Sequence, residues 1–203
     1  MPWNNKPPLY IWLTAALYPL GVNAFWARAV SALAGVGVVL LTYAIAKRLY
    51  GRTAGIVAAI VLGSCFQFIA AGRFGTSDML LTFFLYGSLY AYLQAKEHPA
   101  WWYAVGICTG LAIMTKGPAA LVGPAAIAIA LLIHRQLGSA LRTRQLWGGL
   151  AAMVVIALPW HLSSLLPYGP AFFDHYLASM AIGPTGASAD GHIGSPRPYA
   201  PFL

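Results

Sequence analysis

Residues 29–46 read AVSALAGVGVVLLTYAIA, an uncharged run that closes on Lys47-Arg48. A helix crossing bilayer hydrocarbon needs about 20 apolar residues, within a range of roughly 17–25. The run therefore reads as a transmembrane helix, with a basic pair marking its cytoplasmic end. Upstream, Leu9 to Leu17 is apolar and aromatic but is cut by Pro19 and Gly21, which predicts a helix lying in the membrane interface. Downstream, Thr53 to Gly72 is a second expected span and Met79 to about Ala95 a third. Two shorter ones, Ala100 to Thr115 and Ala119 to Ile133, meet at Lys116-Gly117-Pro118. A sixth begins near Trp147 and fades at Leu166-Pro167, with a kink expected at Pro159. The expected architecture is an all-α polytopic membrane bundle of about six spans. Its external loop and interfacial helix occupy residues 1–25, the spans 26–167, and a polar external loop 168–203, with one short apolar stretch at Phe172 to Met180.

The whole composition agrees. Of 203 residues, 60% are hydrophobic and 8% charged, whereas soluble domains run near 45–50% apolar and about 25% charged. That excludes a water-soluble globular domain. Disorder is excluded too, because 13% aromatic content gives the chain far more to bury than disordered segments have. The net charge of +8 would point to nucleic acid in a soluble protein; beside apolar spans it reports orientation, or a lipid or phosphate partner. Cys65 and Cys108 lie inside apolar runs with no metal-ligand spacing. Met1-Pro2-Trp3-Asn4-Asn5-Lys6-Pro7-Pro8 offers neither the basic start nor the apolar core of a cleavable signal peptide.

Orientation follows from short basic loops. With Lys47-Arg48 and Arg52 inside, alternation also places Lys96-Glu97-His98 inside, together with the stretch from His134 through Arg135, Arg142 and Arg144. The opposite face then collects charges that topology does not require: Lys6, Arg73, Asp78, Lys116, Asp174, His175, His192 and Arg197. Lys6, stiffened by Pro7-Pro8, serves equally as an interfacial anchor or as a phosphate ligand. Arg73 either snorkels or offers a planar donor fork to phosphate oxygens. Asp78 is a helix N-cap or, the reading favoured here, orients Arg73 or a ligand. Lys116 sits alone in a turn between two short spans, so it is expected below the external surface, where a cation needs a partner such as a lipid phosphate. Asp174-His175 suits a metal half-site or an acid/base pair, but with no spacing to a third ligand. His161, beside Trp160, reads as a satisfied histidine in a kinked helix.

The ordered motifs carry a resemblance. Lys6-Pro7-Pro8-Leu9 with Trp12-Leu13, the segment Gly21-Val22-Asn23-Ala24-Phe25-Trp26-Ala27-Arg28, then Arg73-Phe74-Gly75-Thr76-Ser77-Asp78, Met114-Thr115-Lys116-Gly117-Pro118, and finally Pro159-Trp160 followed by Phe172-Phe173-Asp174-His175 resemble bacterial C-type (GT-C) membrane glycosyltransferases. The relatives meant are the protein O-mannosyltransferases and the transferase that adds aminoarabinose to lipid A. The resemblance implies an inverting transferase of the bacterial inner membrane with its site facing outward. It would take sugar from a polyprenyl-phosphate donor to a lipid or protein acceptor. It also implies that Lys6 and Lys116, with Arg73, bind the lipid phosphate, and that Asp78 and His175 support the substrate site. Asp174 and His175 would lie near a divalent metal, and Asp78 and Asp174 are the candidate catalytic carboxylates. Asn5 stands where many relatives carry Glu, which counts against metal binding there. The family's catalytic acid lies in a first external loop that the resemblance places upstream of Met1, so this chain alone is expected to bind a lipid phosphate without transferring sugar. The competing class is a transporter or lipid-handling protein in which the same cations hold a phosphate during translocation.

Overall fold

A computed structural model describes residues 7–168, with side chains described as far as Leu166. Every regular element is helical. Helix α1 spans Leu9–Leu17 and runs into a short 3₁₀ turn at Tyr18–Leu20. Helix α2, Ala24–Tyr50, contains the run that opened the sequence reading. It starts where the Asn23 side chain accepts hydrogen bonds from the backbone N–H groups of Phe25 and Trp26, at 3.0 and 3.1 Å, a capping interaction that satisfies two otherwise orphaned donors. It ends with Lys47 and Arg48 in its last turn, beside the negative end of the helix dipole, and at Gly51, whose φ of +92° suits glycine.

Helices α3, Arg52–Ser64, and α4, Phe66–Arg73, occupy the second expected span, but Cys65 is extended and the pair bends by 64°. Helix α5 is Ser77–Ala95 and α6 is Trp101–Lys116. A 3₁₀ turn at Gly117–Leu121 leads into α7, Val122–Ile133. Helix α8 is Leu137–Leu141 and α9 is Arg144–Tyr168, running through Pro159 as one helix.

The molecule is an all-α polytopic membrane helical bundle. Six spans are expected from the sequence; among the described residues, three helical stretches are by themselves long and apolar enough to cross a membrane, Ala24–Tyr50, Trp101–Ile133 and Arg144–Leu166. There are four if the bent α3–α4 pair counts as one. The reasons are local. Helix α5 has the length, but Ser77, Asp78, Ser88, Tyr86, Tyr90, Tyr92 and Gln94 lower its hydropathy. Helices α6 and α7, with 16 and 12 residues, are each shorter than bilayer hydrocarbon requires. The Trp101–Ile133 stretch also doubles back: Trp102 near its start and Leu131 near its end share one core cluster and line one cavity, whereas a straight helix of that length would hold them roughly 45 Å apart.

Packing fixes the directions. Small residues let α6 and α9 lie side by side and parallel, Gly106 against Gly149 and Gly110 against Met153 and Ile156. Without a hydrophobic drive between helices in lipid, such close backbone approach is the main source of association. Large apolar side chains such as Leu33, Val36, Leu40 and Val155 point outward, as lipid-facing residues do.

The two ends of the bundle differ as the basic loops predict. At one end Arg48 pairs with Glu97 at 2.7 Å, joining the α2–α3 and α5–α6 connections, and Lys96 lines a cavity with Gln136 and Thr143. At the other end lie α1, the start of α2, the α4–α5 loop and the α6–α7 turn.

Candidate functional site

Hydrogen bonds tie three of the parts at that second end together. Helix α1 packs Leu9, Tyr10 and Leu17 against the α2 core residues Val30, Ala34 and Val38. The Tyr10 hydroxyl donates to the Ala27 carbonyl at 3.3 Å and contacts Ser31 Oγ at 3.2 Å. Ser31, fully buried, donates to the Thr76 carbonyl at 2.8 Å. Helix α1, the first turns of α2 and the loop between Arg73 and Asp78 are thereby tied together. Gly75 fits under this link, since a Cβ there would lie 3.3 Å from both the Ala27 oxygen and the Tyr10 hydroxyl.

The charges meet beside it. Asp78 stands in the first turn of α5 and Lys116 is the last residue of α6, before Gly117 at φ +59°. Each charge suits its own helix end, an acid at an N-terminus and a base at a C-terminus. Because α5 and α6 run antiparallel, these ends coincide, and the Lys116 ammonium donates to the Asp78 carboxylate. The Lys116 side chain is one-third exposed and that of Asp78 more than half, so the pair is open to an incoming group. Asp78 thus pairs with Lys116, where the sequence suggested that it orients Arg73 or a ligand, and Lys116 has a protein partner. Thr76 occupies the N-cap position of α5, with no side-chain capping bond.

Arg73 closes α4 on the same end, exposed, and among the described residues it makes no ion pair or hydrogen bond. Arg28, one turn into α2, reaches the same loop with its side-chain carbons near Gly75. Of the other expected site residues, Lys6, Asp174, His175, His192 and Arg197 lie outside the described residues. His161 Nδ1 donates to the Ala157 carbonyl one turn back at 2.7 Å, and the ring stacks edge-on with Trp160, as a satisfied histidine does. Among the described residues no three of His, Cys, Asp and Glu come together as a metal set. The two carboxylates there, Asp78 and Glu97, are both clasped by cations. The sequence reading missed Tyr10, Ser31 and Gly75; the available signal was a lone serine early in an otherwise aliphatic span.

Residues 5–162, most of the chain, match the family model described as dolichyl-phosphate-mannose-protein mannosyltransferase. The chain belongs to that family. Its relatives are GT-C membrane glycosyltransferases, as the motifs implied. One, an uncharacterized protein of Aquifex aeolicus, is 32% identical over 85% of this chain and 35% of its own length. Another, the undecaprenyl phosphate-alpha-4-amino-4-deoxy-L-arabinose arabinosyl transferase of Pseudomonas savastanoi, is 32% identical over 78% of this chain and 31% of its own. The crystal structure of ArnT from Cupriavidus metallidurans bound to undecaprenyl phosphate is similar in fold. Its TM-score is 0.76 at 26% identity, covering 86% of this chain and 34% of that one. This mannosyltransferase-family chain is a multi-pass protein of the bacterial inner membrane, and it spans about a third of the length of the curated relatives it matches.

Proposed function

We propose that this chain holds the donor phosphate in a sugar transferase that works at the external face of the inner membrane, drawing on a polyprenyl-phosphate-linked sugar and passing it to a lipid or protein acceptor. One observation carries the reading. A cation and a carboxylate from two different helices meet at the end opposite the basic loops, in a fold similar to one crystallised with undecaprenyl phosphate. In the proposed reaction an acceptor oxygen attacks the anomeric carbon and the bond from that carbon to the phosphate oxygen breaks. The electron pair leaves with the phosphate, and the configuration inverts. Lys116 stabilises the charge developing on the phosphate, as fixed cations do for a developing anion, and Arg73 and Lys6 are the further cations of the reading. Asp78 keeps the ammonium in place until a phosphate oxygen replaces it. Committed in this way, Asp78 is a positioning group, and the acceptor proton falls to another carboxylate, for which Asp174 is the candidate within this chain.

The same reading takes the bundle as six passes. The support is that α6 and α7 double back and that α5 lies antiparallel to α6. The passes formed by α6 and α7 are then short, about 24 and 18 Å, and set Lys116 below the external surface. A divalent metal at Asp174 and His175 belongs to the reading as well. The described residues supply no donor set for one.

The test is binding of undecaprenyl phosphate to the full chain in detergent. A charge-assisted phosphate contact is worth about 1.5–3 kcal/mol, so Lys116→Ala is expected to weaken binding roughly ten- to hundredfold while Lys116→Arg keeps most of it. Unchanged affinity in folded Lys116→Ala overturns the phosphate role. In the enzyme at the length of its relatives, donor binding with no sugar transfer to lipid or protein would favour the lipid-handling alternative.

A further inference from the structure

The basic end of the bundle carries a cavity that the transferase reading does not use. The last turn of α5, the start of α6, the end of α7 and the α8 turn border a half-open cavity of about 260 Å³. The floor is apolar and buried, made by Ala95, Trp102, Leu131 and Ala140. Tyr92 also lines it at 5% exposure, and its hydroxyl is buried with no hydrogen-bond partner. An orphaned buried hydroxyl is costly, which favours any occupant that pairs with it.

The rim defines what that occupant is. The Lys96 ammonium sits over the face of the Tyr92 ring, 5.2 Å from its centre, so a cation is held at the rim. Gln136 adds amide donors. Ser139 and Thr143 also line the cavity, and their protons are already donated to the carbonyls of Gln136 at 2.8 Å and Ser139 at 3.1 Å. What remains on those two hydroxyls is acceptor capacity. One side of the cavity therefore suits an anion and the other suits hydroxyl groups. A headgroup ending in an ammonium would face Lys96 and be repelled. The depth agrees, because Tyr92 stands one turn from the end of α5, where aromatic residues meet the headgroup layer. Basic pockets between transmembrane helices on the cytoplasmic side are suited to anionic headgroups.

We propose that this cavity binds the headgroup of an anionic, hydroxyl-bearing glycerophospholipid of the cytoplasmic leaflet. The phosphate sits on Lys96, Tyr92 and Gln136, and the glycerol hydroxyls sit on Ser139 and Thr143. The site lies at the opposite end from Lys116 and does not depend on the transfer reaction.

The test titrates phosphatidylglycerol and phosphatidylcholine separately into the delipidated full chain and counts bound lipid by native mass spectrometry. Phosphatidylglycerol should be retained in preference to phosphatidylcholine. Lys96→Glu should weaken its retention about tenfold or more, Lys96→Arg should preserve it, and Lys116→Ala should leave it unchanged. Lys96 is exposed, so these variants are expected to fold, and circular dichroism checks that they do. Equal retention by Lys96→Glu, or loss in Lys116→Ala alone, overturns the proposal. So does displacement of the lipid by millimolar glycerol phosphate, which would assign the cavity to a soluble phosphoester.

Discussion

Replacing Gly106 with alanine tests the seam that positions α6. A Cβ at Gly106 would lie 1.8 Å from the Gly149 carbonyl oxygen and 2.3 Å from its carbon. Carbon approaches a carbonyl oxygen no closer than about 3.3 Å, so α6 and α9 must part by roughly 1.5 Å at this point. The obstacle is backbone on both sides, since a Cβ at Gly149 would in turn lie 2.2 Å from the Trp102 carbonyl oxygen. No side chain can rotate to relieve it. Overpacking costs about 1–3 kcal/mol, and a backbone clash belongs at the upper end, near 3 kcal/mol. Alanine returns about 1 kcal/mol of helix propensity relative to glycine. The expected net loss is therefore about 2 kcal/mol, more than tenfold in the folded-to-unfolded ratio. Sodium dodecyl sulfate titration in mixed micelles, followed by circular dichroism, measures it. Gly63→Ala in α3 is the control, because a Cβ there meets nothing within 4 Å; it should be neutral or slightly stabilising. If Gly106→Ala unfolds at the same detergent fraction as Gly63→Ala, the close α6–α9 contact is wrong.

Other consequences can be measured directly. Ser31→Ala removes the donor to Thr76 and a contact of Tyr10, so it should cost about 1–2 kcal/mol in the same titration and lower undecaprenyl phosphate affinity through the Asp78 loop; an unaltered affinity would separate that loop from the site. Glu97→Gln breaks the Arg48 pair, but with Glu97 63% exposed it should change stability by no more than about 0.5 kcal/mol, and a loss of several kcal/mol would show the contact is buried by a partner. Cysteine labelling in intact cells should reach position 75 from outside and positions 52 and 142 only after permeabilisation; finding 75 and 142 on the same side would dismantle the two-ended arrangement.

Much of the fold is written in single-residue signals. The Leu9 to Leu17 run became α1 with the same limits because Pro8 and Pro19 bracket it, and Lys47-Arg48 closed α2 because a basic pair suits both a helix C-terminus and a cytoplasmic loop. Gly63-Ser64 stands just before the break at Cys65, a pair at which helices kink, but the unbroken apolar run around it makes Thr53 to Gly72 read as one span. The count of six treats every apolar run alike, whereas by length and hydropathy alone α5 is too polar and α6 and α7 are each too short to count as spans. Family motifs located Lys116 and Asp78, but not their partnership. The two are 38 positions apart, and only the antiparallel packing of α5 on α6 brings an N-terminal acid onto a C-terminal base.

That packing makes α6 the element on which the site depends. Its Gly106-Ile107-Cys108-Thr109-Gly110 stretch is visible in the sequence as two glycines one turn apart, a spacing that permits close helix approach. The partner, Gly148-Gly149, lies on a helix that begins nearly thirty residues after α6 ends and could not be paired with it by pattern. Lys116 lies ten positions beyond Gly106, about 15 Å along the axis. Its place opposite Asp78 is fixed by packing against α5 and by a glycine seam against α9. Dispersion forces weaken steeply with a small gap, so a substitution in the seam should act on the charged pair at the helix end without touching it. Gly106→Ala should therefore weaken phosphate binding even in detergent mild enough to keep the variant fully folded, whereas Gly63→Ala should not.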